Sequence, residues 1–184
     1  MTTPAPPMEP LTPPAAVPVA VDWDEVYARE LPRVFNFFRY KVASRAAAED
    51  LASLTFEKAW RERARYRHDR AAVSTWLFTI ARNVAIDHFR ARRNEVPLDD
   101  TDVASAATPE TDALRRSDAD RLGALLATLP ERERDLVALK YGAEHSNRDI
   151  AKITGLTESN VGTILHRTIA TLRARWEGKD GSDE

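Results

Sequence analysis

Residues 75 to 93, TWLFTIARNVAIDHFRARR, open as an apolar helix and close as a cationic one. Asn83 and Asp87 stand four residues apart between the two halves, and at about 3.6 residues per turn they share one helix face. Trp76, Leu77, Ile80 and Val84 can bury the first turns and hold the axis. Arg82, Arg90, Arg92 and Arg93, close to the aromatic ring of Phe89, favour a phosphate backbone. Just upstream, RARYRHDR places Tyr66 and His68 among Arg63, Arg65, Arg67 and Arg70. Rings interleaved with cations suit single-stranded nucleic acid, whose unstacked bases lie on aromatic faces for roughly 1–3 kcal/mol each while arginines follow the phosphates. The same residues allow a plainer arrangement, in which Tyr66 packs on its own helix and the arginines pair with Glu57, Glu62 and Asp69. This segment alone supports both equally.

Catalytic chemistry finds no foothold. The six glycines form neither a G-x-G-x-x-G nor a P-loop spacing, and there is no Gly-x-Ser-x-Gly elbow. The absence of cysteine removes a thiol nucleophile, a thiolate zinc site and a disulfide framework, and suits a reducing cytoplasm. His68, His88, His145 and His166 are scattered without paired ligand spacing, and the carboxylates fall in solvated runs. No cofactor or metal is expected. No apolar run approaches the ~20 residues that span a bilayer, and the first 28 residues lack the Lys or Arg that starts a signal peptide. A cytoplasmic protein without membrane insertion is the expectation.

The formal net charge of −2 conceals blocks of opposite sign. Residues 23–94 hold 15 basic and 9 acidic side chains, residues 95–120 hold 2 and 8, and residues 121–176 hold 9 and 6. A surface field depends on charge within about a Debye length, ~8 Å in cell-like salt, so two cationic blocks flank an anionic one. Chance clustering of solvated faces gives the same tally.

These residues need elements to position them. Residues 1–22, with all but one of the tail's positions before Asp22 free of charge and seven prolines among them, read as a disordered, partly polyproline-like tail. Helical patterning begins near Trp23, with Val26, Leu31, Val34, Phe35, Phe38 and Val42 on one face and Pro32 expected to kink or split the segment. A second stripe follows through Leu51, Leu54, Ala59 and Trp60, and Ser74 or Thr75 is placed to cap the helix that carries Asn83. Residues 23–94 thus form a bundle of three or four helices. Residues 95–118 lose the periodicity and read as an acidic linker, with Thr108-Pro109-Glu110 resembling a helix start. Helices then run to Pro130 and from Glu131 to Gly142.

The sharpest local pattern lies in residues 145–176. Ser146 and Asp149 form a Ser-x-x-Asp capping box, Gly155 supplies a left-handed exit and Thr157 caps a longer helix. Small Ala151, Gly155 and branched Val161 then fall where a helix-turn-helix needs a close approach, a turn and a lock; an ordinary helical hairpin is the alternative. Val161, Ile164, Leu165, Ile169 and Leu172 would face inward, leaving Glu158, Ser159, Asn160, Gly162, Thr163, His166 and Arg167 for a major groove. The fold class is all-α: two small helical domains, 23–94 and 119–176, joined by an acidic linker, the second containing the helix-turn-helix, with a tail at 177–184.

At this point AEDLASLTFEKAWRERARY followed by STWLFTIARNVAIDHFRARR resembles the promoter-melting domain of bacterial sigma factors of the extracytoplasmic-function group, within the sigma-70 family. Asp50-Leu51, Thr55-Phe56 and Ala59-Trp60 match one motif, and Trp76, Leu77, Ile80, Ala81, Asn83, Asp87 and Arg90 match the next. LATLPERERDLVALKY with the helix-turn-helix resembles the family's second domain. The resemblance implies that Asp50, Leu51, Thr55, Phe56, Ala59 and Trp60 dock on the clamp coiled coil of core RNA polymerase. It implies that Arg65, Tyr66, Arg67, His68, Arg70, Asn83, Asp87, Arg90 and Arg93 read the −10 element as single strand. The second domain would bind the polymerase flap and place its last helix in the −35 major groove, the acidic linker would run near the RNA exit path, and an anti-sigma factor would hold the protein inactive.

One departure stands out. Family members commonly carry Lys or Arg just after Val161 and again two residues later, where this chain has Gly162 and Ile164. Fewer cations mean fewer phosphate contacts, so weak −35 binding by the second domain is expected. Two other readings compete: a duplex-binding helix-turn-helix regulator that is not a polymerase subunit, and an adaptor that binds only protein partners.

Overall fold

The computed structural model describes residues 21–95 and 110–180, with side chains described for 21–92 and 118–178. The proline-rich tail, most of the acidic linker and the last four residues lie outside that set. The described residues form helices α1 (Trp23–Lys41), α2 (Arg45–Glu62), α3 (Val73–Glu95), α4 (Glu110–Ala127), α5 (Glu131–Val137), α6 (Asn147–Thr154) and α7 (Glu158–Asp180). A 3₁₀ turn at Arg63–Arg65 extends α2 and a π turn at Ala138–Gly142 extends α5. The all-α expectation therefore holds. α4 begins at Glu110, where the Thr-Pro-Glu signal expects a helix start, and α7 continues to Asp180.

Local chemistry sets most helix ends. Asp22 caps α1, its carboxylate accepting from the Asp24 and Glu25 N–H groups at 3.0 and 3.1 Å. Asp24 and Glu25 in the first turn and Arg39 and Lys41 in the last complement the helix dipole. Pro32 neither splits nor ends α1. Pro32 and Ala28, whose carbonyl it deprives of a donor, both lie on the exposed side, so the freed carbonyl is not buried. Neither Ser74 nor Thr75 caps α3, because the helix starts one residue earlier and Trp76 N–H already donates to Ala72 O at 3.1 Å. Thr75 is buried, and the Ser74 hydroxyl reaches across to Glu30 of α1 instead.

In the first three helices the buried face of α2 is Ala48, Leu51, Ala52, Thr55 and Ala59, with Leu54 38% and Trp60 54% exposed. Small residues, rather than the large apolar ones of the expected stripe, let α2 approach α1 and α3 closely. Of the expected α1 stripe, Val26, Val34, Phe38 and Val42 are buried while Leu31 and Phe35 are only partly so, and Phe37, Glu30 and Lys41 are buried in addition. A helix that buries Phe37 as well as Val34 and Phe38 has partners on more than one side.

The second side is covered by the other domain. The two blocks share one continuous core, in which Phe37, Phe38, Phe78, Leu136, Leu139 and Ile150 are all fully buried. Burying a Phe or Leu stabilises by roughly 1.5–3 kcal/mol, so this shared layer is a substantial part of the fold. α1 packs on the π turn and α3 on α6. The π turn is closed by Ala143 N–H donating to Ala138 O at 2.9 Å. It brings Gly142 so close to α1 that a Cβ there would lie 3.0 Å from Asn36 O and 3.1 Å from the Tyr40 ring. A side chain at that contact would crowd the α1 backbone.

The helix-turn-helix forms as the sequence predicts. Ser146 Oγ accepts from Asp149 N–H at 3.1 Å, Gly155 sits at φ +75°, and Thr157 Oγ1 accepts from Asn160 N–H at 3.2 Å.

Candidate nucleic-acid interface

α3 presents two different faces to its surroundings. Arg82, Ile86 and Phe89 follow one another at helical spacing along the side turned toward the second domain. Asn83, Asp87 and Arg90, roughly 100° around the helix, are all exposed. Asp87 also lies 3.5 Å from Lys58 Nζ of α2, an exposed pair that contributes little to stability but fixes which part of α2 borders the stripe. The base of α3 is held by Leu77, Ile80 and Val84, each under one-tenth exposed, with Trp76 half-buried.

The loop before α3 divides its residues. Arg65, His68 and Arg70 are exposed. Arg67 makes a two-pronged contact with Asp69, Nε at 3.0 Å and Nη2 at 2.8 Å, and that hydrogen bonding holds the Asp69 carboxyl below its usual range. Tyr66 is not an open stacking platform. Its ring lies 6.1 Å from that of Trp23 and 5.2 Å from that of Trp76, its hydroxyl donates to Ala71 O at 2.9 Å, and burial pushes its pKa up. Neither sequence reading describes Tyr66: it packs not on its own helix but on Trp23 of α1 and Trp76 of α3, tying the loop to the bundle. Arg82 is likewise committed, donating from Nε to Asp135 at 3.1 Å rather than standing free for phosphate. Arg90 and Arg92 are exposed, and the Arg93 side chain lies outside the described residues.

Of the six residues expected to meet polymerase, Asp50 and Trp60 are exposed and Phe56 half-buried. Leu51, Thr55 and Ala59 face the core, where Thr55 Oγ1 donates to Leu51 O at 2.8 Å, and they offer a partner no surface here. Their chemical effect is to seat α2, leaving Asp50, Ser53, Leu54, Glu57 and Trp60 as its outer face.

On α7 the inward set is as the sequence predicts, with Val161, Leu165 and Leu172 buried and Ile164 and Ile169 partly so. Glu158, Ser159, Asn160, Thr163, His166 and Arg167 are exposed and Gly162 is half-buried near Asn147. Ile164 packs against the core, which explains why that position does not carry a solvent-seeking cation.

The residues that sequence reasoning missed lie where the domains meet. Asp135 of α5 accepts from Lys41 Nζ and from Arg82 Nε, and the Lys41 side chain is fully buried with its ammonium 5.1 Å from the Phe89 ring centre. Arg33 donates to Ala143 O at 2.9 Å, to Glu30 at 2.6 Å and to Ser74 at 3.1 Å, so a buried carboxylate, a cation and the second domain's backbone form one network. His145 meets the Phe78 ring edge-on at 4.4 Å. Burial, with the Arg33 charge next in effect, lowers its pKa to about 4. One trace of this exists in the sequence: Glu30 and Lys41 fall in phase with Val26, Val34 and Phe38, so two charges sit on an apolar stripe.

Comparison with known proteins fits this arrangement. The Sigma-70 region 2 family model matches residues 26–95 and the Sigma-70, region 4 model matches residues 119–172. The ECF RNA polymerase sigma factor RpoE of Cereibacter sphaeroides is 31% identical over 150 residues, covering 81% of this chain and 83% of the relative. The ECF RNA polymerase sigma factor BldN of Streptomyces coelicolor is 29% identical over 152 residues, 80% of this chain but 57% of the longer relative. The sigma factor RpoE from Bartonella quintana, solved in complex with the anti-sigma factor NepR, superposes with a TM-score of 0.67 at 23% identity, over 89% of this chain and 99% of that one, a likeness of fold. The chain belongs to the sigma-70 family of RNA polymerase sigma factors, in its extracytoplasmic-function group.

Proposed function

We propose that this chain acts in the cytoplasm as a non-catalytic initiation factor, carrying core RNA polymerase to promoters and holding the −10 element open. The observation that carries this reading is the exposed stripe Asn83, Asp87 and Arg90 on a helix whose base is locked in the core. A rigid helix loses little order when a flipped base or phosphate binds it, which is what strand separation requires. The outer face of α2, around Asp50 and Trp60, would meet the polymerase clamp. The exposed residues of α7 would enter the −35 groove, and the flap would take another face of the second domain. An anti-sigma factor is the regulatory partner, in line with relatives of this fold solved with such partners. The duplex-binding regulator is not favoured, because both domains match the sigma-70 models in order.

The packed arrangement bears on how this activity is regulated. Elements about 25 base pairs apart lie roughly 85 Å apart along B-DNA at about 3.4 Å per pair. Domains that share a core cannot reach both at once, so the described state is the inactive one and opening at the Asp135 contact precedes promoter binding. The deciding experiment is runoff transcription from cognate promoter with core polymerase and the full chain, with permanganate mapping of unpaired thymines. Specific transcript with reactive thymines near the start supports the reading; polymerase binding without either sinks it.

A further inference from the structure

An apolar groove of about 260 Å³ opens between the first turns of α1 and the last turns of α2, lined by Trp23, Val26, Tyr27, Phe56, Ala59 and Trp60. Tyr27 is 49% and Trp60 54% exposed, so two large aromatic side chains on its rim are partly open to solvent. Tyr27 meets Phe56 edge-on at 4.8 Å, and the Arg63 guanidinium lies 3.8 Å above the Trp60 ring centre. The groove is therefore a row of rings, with the Arg63 guanidinium over its Trp60 rim and the Asp24 carboxylate also in its lining.

The chain carries a segment of matching chemistry. Pro4, Pro7, Pro10 and Pro13 recur at a spacing of three within MTTPAPPMEPLTPPAAVPVAV. A polyproline II helix has about three residues per turn, so these four rings would form a single ridge. Such ridges dock on aromatic grooves because little conformational entropy remains to be lost. Residues 14–22 join that ridge to Trp23, which itself lines the groove, and nine residues reach up to about 30 Å. Glu9, on a neighbouring face of such a helix, has the sign that complements Arg63.

We propose that the proline-rich N-terminal segment of the same chain is the occupant of this groove. Tethering gives it an effective concentration in the millimolar range, so even a weak ligand of this kind is largely bound. Trp60 also belongs to the face assigned above to polymerase, so the docked segment would compete with polymerase; that consequence alone rests on the proposed function.

The test uses the full ¹⁵N-labelled chain and a variant carrying Pro4→Ala, Pro7→Ala, Pro10→Ala and Pro13→Ala. Indole N–H signals are compared at several protein concentrations, with Trp60 assigned through Trp60→Phe. Docking is supported if the Trp23 and Trp60 signals differ between the two chains, Trp176 does not, and the differences are independent of concentration. Identical spectra overturn it, and so do differences that grow with concentration, which would mean the segment of a second copy. Core polymerase should then bind the substituted chain about threefold tighter, since a face occupied two-thirds of the time loses that factor in apparent affinity. Equal affinity together with the expected spectral difference would refute the assignment of this face to polymerase and leave the docking intact.

Discussion

Lys41 of α1 and Asp135 of α5 form an ion pair with both side chains buried, although 94 positions separate them in the chain. Such a pair is poor evidence of net stabilisation, because removing two charges from water offsets most of their attraction. It is a strong determinant of which surfaces meet, because neither partner can be buried alone. Arg82, on the other oxygen of Asp135, ties the same contact to α3.

Removing the carboxylate should therefore open the molecule. Asp135→Asn leaves Lys41 in the core without a counter-charge, a loss of about 3–5 kcal/mol to the closed state. Small-angle scattering should give a larger radius of gyration with the helical circular dichroism retained, and runoff transcription should rise. An unchanged radius and thermal midpoint would show that the pair does not hold the domains together.

Gly142 provides an independent way to disturb the contact. A Cβ at that position meets Asn36 O at 3.0 Å and Tyr40 at 3.1 Å, and backbone cannot step aside as a flexible side chain can. Gly142→Ala should cost about 1–3 kcal/mol by overpacking and shift the protein toward separated domains. Faster amide exchange along α1 from Asn36 to Tyr40 is the expected readout. Gly123, with nothing within 4 Å, is the control at which alanine should leave that exchange untouched.

Acid should loosen the same interface through His145, whose pKa is lowered to about 4 in the folded protein. An exposed histidine titrates near 6.5, so between the two values the unfolded or opened chain binds a proton that the closed one does not. The closed state is then fully favoured above about pH 6.5 and loses up to about 3 kcal/mol as pH falls toward 4, below which the loss levels off. His145→Phe, which keeps a ring against Phe78, should flatten this part of the stability–pH profile relative to the parent. Parallel profiles in urea denaturation would remove His145 from the account.

The uneven legibility of this chain has a physical basis. Ser146, Gly155 and Thr157 could be read from sequence because a cap or a left-handed turn is decided within a few residues. The shared face of Asn83 and Asp87 was readable from their spacing, and Arg90 joined them through the family resemblance. The α2 stripe was not, since a helix packed tightly on two neighbours buries Ala48, Ala52 and Ala59 and leaves Leu54 and Trp60 outside, opposite to what side-chain hydropathy suggests. Tyr66 and Arg82 could not be settled locally either, as their partners are Trp23 and Asp135, distant in sequence. The shared core is of the same kind: burial of Phe37 and Phe78 depends on a surface contributed by the other domain.

Gly162 sits on the side of α7 proposed above to face DNA, at a position where the family commonly has a cation. A Cβ there would meet only Asn147 Nδ2, at an ordinary 3.5 Å, and the half-buried position borders exposed Thr163 and His166. Gly162→Arg should stabilise the helix by about 1 kcal/mol, tighten binding to −35 duplex and steepen the salt dependence by about one phosphate contact. Fluorescence anisotropy of the full chain across a salt series measures both. An unchanged slope would place this face away from the phosphates.

The last prediction separates polymerase binding from strand opening. Asn83 and Arg90 are exposed, so truncating either should alter stability by no more than about 0.5 kcal/mol. Both lie on α3, whereas Asp50 and Trp60 lie on α2. Asn83→Ala and Arg90→Ala should therefore leave core polymerase affinity unchanged while lowering permanganate reactivity of −10 thymines by about tenfold, the loss of roughly 1.4 kcal/mol from an interaction made only with opened strands. Trp60→Ala should do the reverse, weakening polymerase binding while leaving strand opening intact once polymerase is saturated. If both kinds of substitution depressed both measurements equally, α2 and α3 would form one undivided surface, and the division of labour between them would be wrong.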